Sequence, residues 1–197
     1  MSILTLAATL LLLGPINLET GRFTITQDGK KIGTEQFTIS AGRDGGYVAE
    51  AKTQLMGDPQ QLSSRLELDR KLKPVSYEYS HGKGTIRVKF GEPTSEYETE
   101  TDGKKSSMDF RFPESGFILD NNFFSHYVML LYKVSETGGD FPILVPQDMR
   151  LGVATIKAKG SNVYELHIGE VMMEATTDKT GKLIRLAVPS AKVVVER

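Results

Sequence analysis

Most of the chain alternates apolar and polar residues with a period of two, in short runs separated by glycine, aspartate and asparagine. This alternation is typical of β-strands that bury one face and expose the other. The first half contains the runs 22–27, 32–40, 47–56, 60–69, 75–80, 84–90, 95–101 and 105–112. The second half adds 150–158, 163–168, 170–176, 182–188 and 191–196. The pattern predicts a mainly β fold, with about a dozen strands in a large curved antiparallel sheet or half-open barrel.

Two of the separators carry a specific turn signal. Asp28-Gly29 and Asp102-Gly103 each lie between two alternating runs. Type I′ turns need a positive φ at both central residues, and Asp-Gly satisfies that need. Both sites are therefore predicted to be tight β-hairpins.

Residues 118–134 depart from the alternation, because apolar side chains cover most of the circumference of the helix that they would form. Such a helix is usually buried, and this one is too short to cross a bilayer. Asp120 is the predicted N-cap, and Gly138-Gly139 are the predicted stop. The helix is predicted to lie across the concave face of the sheet. One more pair of strands is the alternative, since Phe, Tyr and Val also favour sheets.

The N-terminus begins with an apolar run at residues 3–13 and has its first charged side chain at Glu19. A run of this length suits the hydrophobic region of a signal peptide and is too short for a membrane span. Residues 1–18 are predicted to be a signal peptide or N-terminal apolar segment, and 19–197 a single β domain. The predicted location is the periplasm or the exterior. A buried N-terminal element and an uncleaved anchor are the alternatives.

The composition removes several classes of function. The 24 Lys and Arg nearly cancel the 25 Asp and Glu, so the basic excess typical of nucleic-acid binders is missing. The chain has no cysteine, which excludes disulfides and thiolate sites. We expect no cofactor, no nucleic-acid partner and no membrane span in the mature protein; the sequence leaves the oligomeric state open.

No set of polar residues has the spacing of a catalytic or metal site. His81, His126 and His167 lack neighbours at ligand spacing. The residues Glu96, Glu98 and Glu100 share one strand face, where a solvated outer surface is the favoured interpretation. The sequence therefore predicts neither a catalytic residue nor a metal site, and we expect a protein that is not an enzyme.

A hydrophobic cavity between helix and sheet is the remaining candidate site, since mostly apolar pockets bind apolar ligands. The side chains predicted to line it are aromatic, aliphatic or flexible thioether groups: Phe123, Phe124, Tyr127, Leu131, Met172 and Met173. The same residues fit an ordinary filled core equally well.

Three stretches resemble uncharacterised exported bacterial β-sheet proteins with a layout similar to the lipoprotein-carrier group. They are F-T-I-T-x-D-G-K-K-I-G-T-E-x-F-T-I at 23–39, L-x-L-D…L-K-P-V-S-Y-E-Y at 66–79, and D-x-T-G-K-L-I-R-L-A-V-P at 178–189. The resemblance covers residues 20–197 and implies a half-open antiparallel barrel that holds a helix, in a cell-envelope protein that binds an apolar ligand. The chain lacks a cysteine for lipidation.

The leading functional hypothesis is an exported cell-envelope protein that binds an apolar or lipid-like ligand in the concavity of the sheet. One alternative is a structural or adaptor domain with a filled core and no ligand. Another is an enzyme of unrecognised class, which would need His126 or a carboxylate to face a polar cleft.

Overall fold

The structure of the protein, a computed structural model, describes residues 17–134 and 138–197. The apolar run 3–13, on which the signal-peptide prediction rests, lies outside the described residues. The first half forms strands β1 (Asn17–Gln27), β2 (Lys30–Ala41), β3 (Tyr47–Leu55), β4 (Leu62–Leu68), β5 (Pro74–His81), β6 (Gly84–Lys89), β7 (Ser95–Thr101) and β8 (Lys104–Phe110). The second half contains β9 (Phe117–Ile118), helix α1 (Ser125–Lys133), β10 (Gly138–Val145), β11 (Arg150–Gly160), β12 (Val163–Ile168), β13 (Val171–Thr177), β14 (Leu183–Val188) and β15 (Val193–Glu196). Short 3-10 helices occur at Arg43–Gly45, Pro146–Asp148 and Pro189–Ala191.

The fifteen described strands form one open sheet, which confirms the mainly β prediction. Strands β1 to β8 pair in sequence order on one side, and β10 to β15 do so on the other. The two series meet where β1 pairs antiparallel with β15, with Ile25 opposite Val195. The sheet therefore consists of two meanders that are joined through its first and last strands.

The two edges of the sheet are close in sequence. The edge strands are β8 and β9, which pair with different halves, and only residues 111–116 connect them. The seven Cα–Cα steps from Phe110 to Phe117 span at most about 25 Å when fully extended. The sheet must therefore curl until its edges approach each other, although it does not close into a barrel.

Both Asp-Gly hairpins are present as predicted. The φ angles are 49° at Asp28 and 74° at Gly29, and 50° at Asp102 and 78° at Gly103. Positive φ at both central positions is the property that matches a two-residue hairpin to the twist of its strands.

The core lies between the inner face of the sheet and α1. Large side chains of the inner face, among them Phe23, Phe37, Leu66 and Tyr77, are at most 4% exposed. In α1, the four residues from Tyr127 to Leu130 are all buried. The helix contacts β3 and β14, so it bridges the two meanders. No helix of the described residues is both long and apolar enough to cross a membrane.

The helix is shorter than the predicted segment 118–134. Phe117 and Ile118 form β9, which pairs parallel with β10, and α1 begins only at Ser125. Asp120 is not the N-cap that the local pattern indicated. Its carboxylate accepts the N–H of Asn122 at 2.8 Å, a local turn that competes with helix formation.

Strand β10 is not predicted by the alternation, because Gly138-Gly139 indicate only the end of the helix. In the structure the two glycines begin the strand, and Gly139 lies opposite Ile156 of β11. The three residues from Ile143 to Val145 are all buried. These three consecutive residues bury both faces of the strand, so this part of β10 lacks the period-two alternation that marks the other strands.

Candidate functional site

An apolar pocket of about 280 Å³ lies between the N-terminal part of α1 and the inner face of the sheet. Its walls come from both meanders, which meet here at the β1–β15 pairing. The aliphatic and thioether side chains that line it include Ile25, Ile32, Leu55, Met173, Val188 and Val193. Such a lining matches the mostly apolar character of small-molecule sites in proteins.

The polar side chains in the pocket lining are uncharged. They include Thr53 on β3 and the amides Asn121 and Asn122 before α1. The hydroxyl of Thr53 donates a hydrogen bond to the backbone oxygen of Asn122 at 2.9 Å, which ties the segment before the helix to the sheet. Each amide side chain has a donor and an acceptor, and that of Asn122 also hydrogen-bonds to Asp120.

The structure brings together three of the six residues named from the sequence. Phe124, Tyr127 and Met173 line the pocket. Phe123 is fully buried, with its ring 6.2 Å from the ring of Tyr79. Leu131 packs partly buried against the core. Met172 is 38% exposed on the opposite face of β13 from Met173, because successive residues of a strand alternate.

Glu35 on β2 fixes the start of α1. Its carboxylate accepts the N–H of Phe124 at 2.6 Å and that of Ser125 at 2.9 Å. The first N–H groups of a helix have no partner within it, and a carboxylate there also interacts favourably with the helix dipole. Glu35 has no exposed surface, and burial raises its pKa from 4.5 to about 7, although the two backbone bonds lower it. The pocket wall at Phe124 therefore rests on a buried titratable group.

Asp120 organises the segment ahead of the helix. Its carboxylate accepts hydrogen bonds from the hydroxyl of Tyr77 and the amide of Gln147, as well as from the N–H of Asn122. Burial raises its pKa, while the bonds from Tyr77 and Asn122 lower it. Because these donors come from β5, from the 3-10 turn after β10 and from the segment itself, Asp120 holds three parts of the chain together.

His126 is a neutral core histidine. Its Nδ1 accepts the N–H of Asp120 at 3.2 Å, so its proton belongs on Nε2. The ring has no exposed surface, and burial lowers its pKa to about 3. It lies between the rings of Tyr77 and Phe123, with centroids 5.8 and 5.9 Å away. Neither His126 nor Glu35 lines the pocket, so these groups shape its wall rather than face its interior.

A third buried carboxylate, that of Glu19, holds the other end of α1. Glu19 on β1 accepts hydrogen bonds from the hydroxyl of Tyr132 and from the guanidinium of Arg197. Glu35 on β2 lies opposite Phe23 on β1, and Glu19 is four residues before Phe23. Measured along the strand direction, Glu19 and Glu35 are therefore about 13 Å apart. The nine residues of α1 span about 14 Å. The two anchors are thus spaced to the length of the helix.

The outer face of the first meander is charged and solvated. Glu100 lies 3.9 Å from Arg87 and 3.7 Å from Lys105, and Glu96 lies 3.5 Å from Lys89. Two larger concave surfaces, of about 650 and 1010 Å³, are lined mainly by such polar and charged side chains. Their linings include exposed charged side chains such as Glu50, Lys52 and Arg70, in contrast to the uncharged lining of the pocket beside the helix.

The remaining histidines are paired singly on the surface. His81 Nε2 lies 2.8 Å from Asp58, and His167 Nε2 lies 3.0 Å from Glu165. Within residues 17–134 and 138–197, no three His, Asp or Glu side chains converge in a way that could hold a metal ion.

Comparison with known proteins adds a likeness of shape only. No protein-family model matches the chain. No curated protein matches it. Among solved structures it is similar to a DUF1089 family protein from Pseudomonas aeruginosa, with 11% identity and a TM-score of 0.46 over 96% of this chain and 98% of that one.

Proposed function

We propose that the protein is an exported cell-envelope protein that binds an apolar or lipid-like ligand in the pocket beside α1, without catalysing a reaction. The observation that carries the proposal is the uncharged pocket of about 280 Å³ between helix and sheet. The absence of Glu35, Asp120 and His126 from its lining supports a binding role over a catalytic one.

The dimensions of the pocket set the size of the ligand. A volume of about 280 Å³ is close to the lower end of the range for small-molecule sites. One water occupies about 30 Å³ in the liquid, and a methylene group is of similar size. The pocket therefore holds on the order of nine methylene groups, which is one alkyl chain of medium length or one ring system.

The walls combine a fixed side with an adaptable one. The helix side is held by the bonds of Glu35 to Phe124 and Ser125. On the sheet side, Met173 has three rotatable bonds and a polarizable sulfur, so it adjusts to ligands of different shape. Val171 at the rim is 41% exposed and gives the pocket an accessible margin.

Ligand binding is tested by titrating the protein, labelled with ¹³C in its methionine methyl groups, with 1-decanol. We expect the methyl signal of Met173 to shift, because Met173 lines the pocket, and that of Met172 to stay in place, because it faces outward. Val171→Phe, which places a ring in the rim, is expected to weaken binding at least tenfold. Val153→Phe is the matched control, since Val153 is 50% exposed on β11 and does not line the pocket.

A pocket that stays unliganded under these conditions would count against the proposal. It would favour a structural or adaptor domain that acts through its surface. The exposed pair Leu151 and Val153 on β11 supports this second candidate, since both side chains are about half exposed on the same face of one strand.

Export rests on the apolar run 3–13 and on the resemblance to exported β-sheet proteins. Expression of the full chain in a bacterium is expected to give a periplasmic protein whose mass lacks about the first 18 residues. Leu11→Arg, which places a charge in the apolar run, is expected to leave a full-length protein in the cytoplasm. A wild-type chain that remains full-length in the cytoplasm would contradict export.

A further inference from the structure

Building on the proposed function, we infer that the pocket selects amphiphiles with an uncharged head group over those with an anionic one. The juxtaposition that supports this inference is an alkyl-sized apolar pocket whose polar side chains, Thr53, Asn121 and Asn122, are uncharged. Two buried carboxyl groups, Glu35 and Asp120, hydrogen-bond to residues of that lining.

The lining of the pocket offers hydrogen bonds but no counter-charge. Every side chain that lines it is apolar, a hydroxyl or an amide. Hydroxyl and amide groups satisfy a hydroxyl, ether or amide head group by donating and accepting. Thr53 is 1% exposed, so a head group that bonds to it leaves water. Without a partner of opposite charge, an ionised head group there loses far more free energy than a neutral one.

The carboxyl groups beside the lining supply no positive charge to an anion in either protonation state. Glu35 accepts the N–H of Phe124, and Asp120 accepts the N–H of Asn122, so both carboxyl groups lie behind residues that line the pocket. A cation does occur beside the lining, at Lys192 between Ala191 and Val193. Its Nζ lies 2.9 Å from the carboxylate of Asp28, which already neutralises it.

The inference is tested with two ligands that share one alkyl chain, 1-decanol and decanoate, followed at neutral pH by the methyl signal of Met173. Decanol is expected to bind at least tenfold more tightly than decanoate. A variant tests the cause: Asn121→Lys places a cation in the lining and is expected to raise the ratio of decanoate affinity to decanol affinity at least threefold.

The outcomes separate the two proposals. If both ligands shift the Met173 signal with affinities within twofold of each other, the pocket binds amphiphiles but does not select by charge, and this inference fails alone. If neither ligand shifts the signal, the proposed function fails and the inference fails with it.

Discussion

Replacement of Glu35 by alanine is expected to lower the free energy of unfolding by about 3 kcal/mol. The variant leaves the N–H groups of Phe124 and Ser125 without the acceptor that both use, and it opens a cavity beneath α1. Each unsatisfied buried donor costs about 1–3 kcal/mol. Removal of a buried carboxyl group offsets part of this loss.

The effect of Glu35→Ala is measured by urea unfolding and by hydrogen exchange. Hydrogen exchange at the backbone amides of Phe124 and Ser125 is expected to accelerate, because Glu35 accepts the hydrogen bonds of these two N–H groups. Glu50→Ala on the neighbouring strand is the matched control: the Glu50 side chain is 59% exposed, and its loss is expected to change stability by less than about 0.5 kcal/mol. Equal losses in the two variants would show that Glu35 does not anchor the helix.

The pH dependence of stability is expected to be the balance of two opposing groups. The pKa of Glu35 is about 7 in the folded protein against 4.5 ordinarily, so the folded state binds the extra proton and stability falls from about pH 4.5 to 7. The pKa of His126 is about 3 against 6.5, so the unfolded state binds the extra proton and stability rises from about pH 3 to 6.5. Each slope is about 1.4 kcal/mol per pH unit, so the two cancel between about pH 4.5 and 6.5.

Single variants separate the two contributions. In Glu35→Gln the contribution of His126 remains, and stability is expected to rise by about 3 kcal/mol between pH 4.5 and 6.5. In His126→Asn the contribution of Glu35 remains, and stability is expected to fall by a similar amount. The pKa of Asp120 is also raised, so its contribution to stability falls with pH and makes the rise in stability of Glu35→Gln smaller. Urea unfolding followed by circular dichroism measures both slopes; slopes of the same sign would contradict the assignment.

The strands other than β9 and β10 were predictable because their alternation and their turns are local signals. The hairpin at Asp28-Gly29 follows from the readiness of these two residues to adopt positive φ and from the alternating runs on either side. The helix boundary was not predictable in this way. The N–H groups at its start are bound by Glu35, which is 89 and 90 residues distant in sequence, and no pattern around Asp120 contains that information.

The sequence did contain a signal for the role of Glu35 at the candidate site. By period-two alternation Glu35 falls on the same face of β2 as Phe37 and Ile39, so a carboxyl group was placed on an apolar face. A buried charge of this kind requires partners and therefore indicates a special role. The choice between Met172 and Met173 depended on the register of β13, which the apolar pair alone did not reveal.

The pairing of β1 with β15 has a consequence for the order of folding. Pairings between sequence neighbours within each meander close short loops, whereas Thr24 opposite Glu196 joins residues separated by almost the whole described chain. Loop-closure entropy grows with the length of the loop, so this seam has the least favourable closure in the sheet. The pocket draws its walls from both sides of the seam, and it therefore forms only when the two meanders have joined.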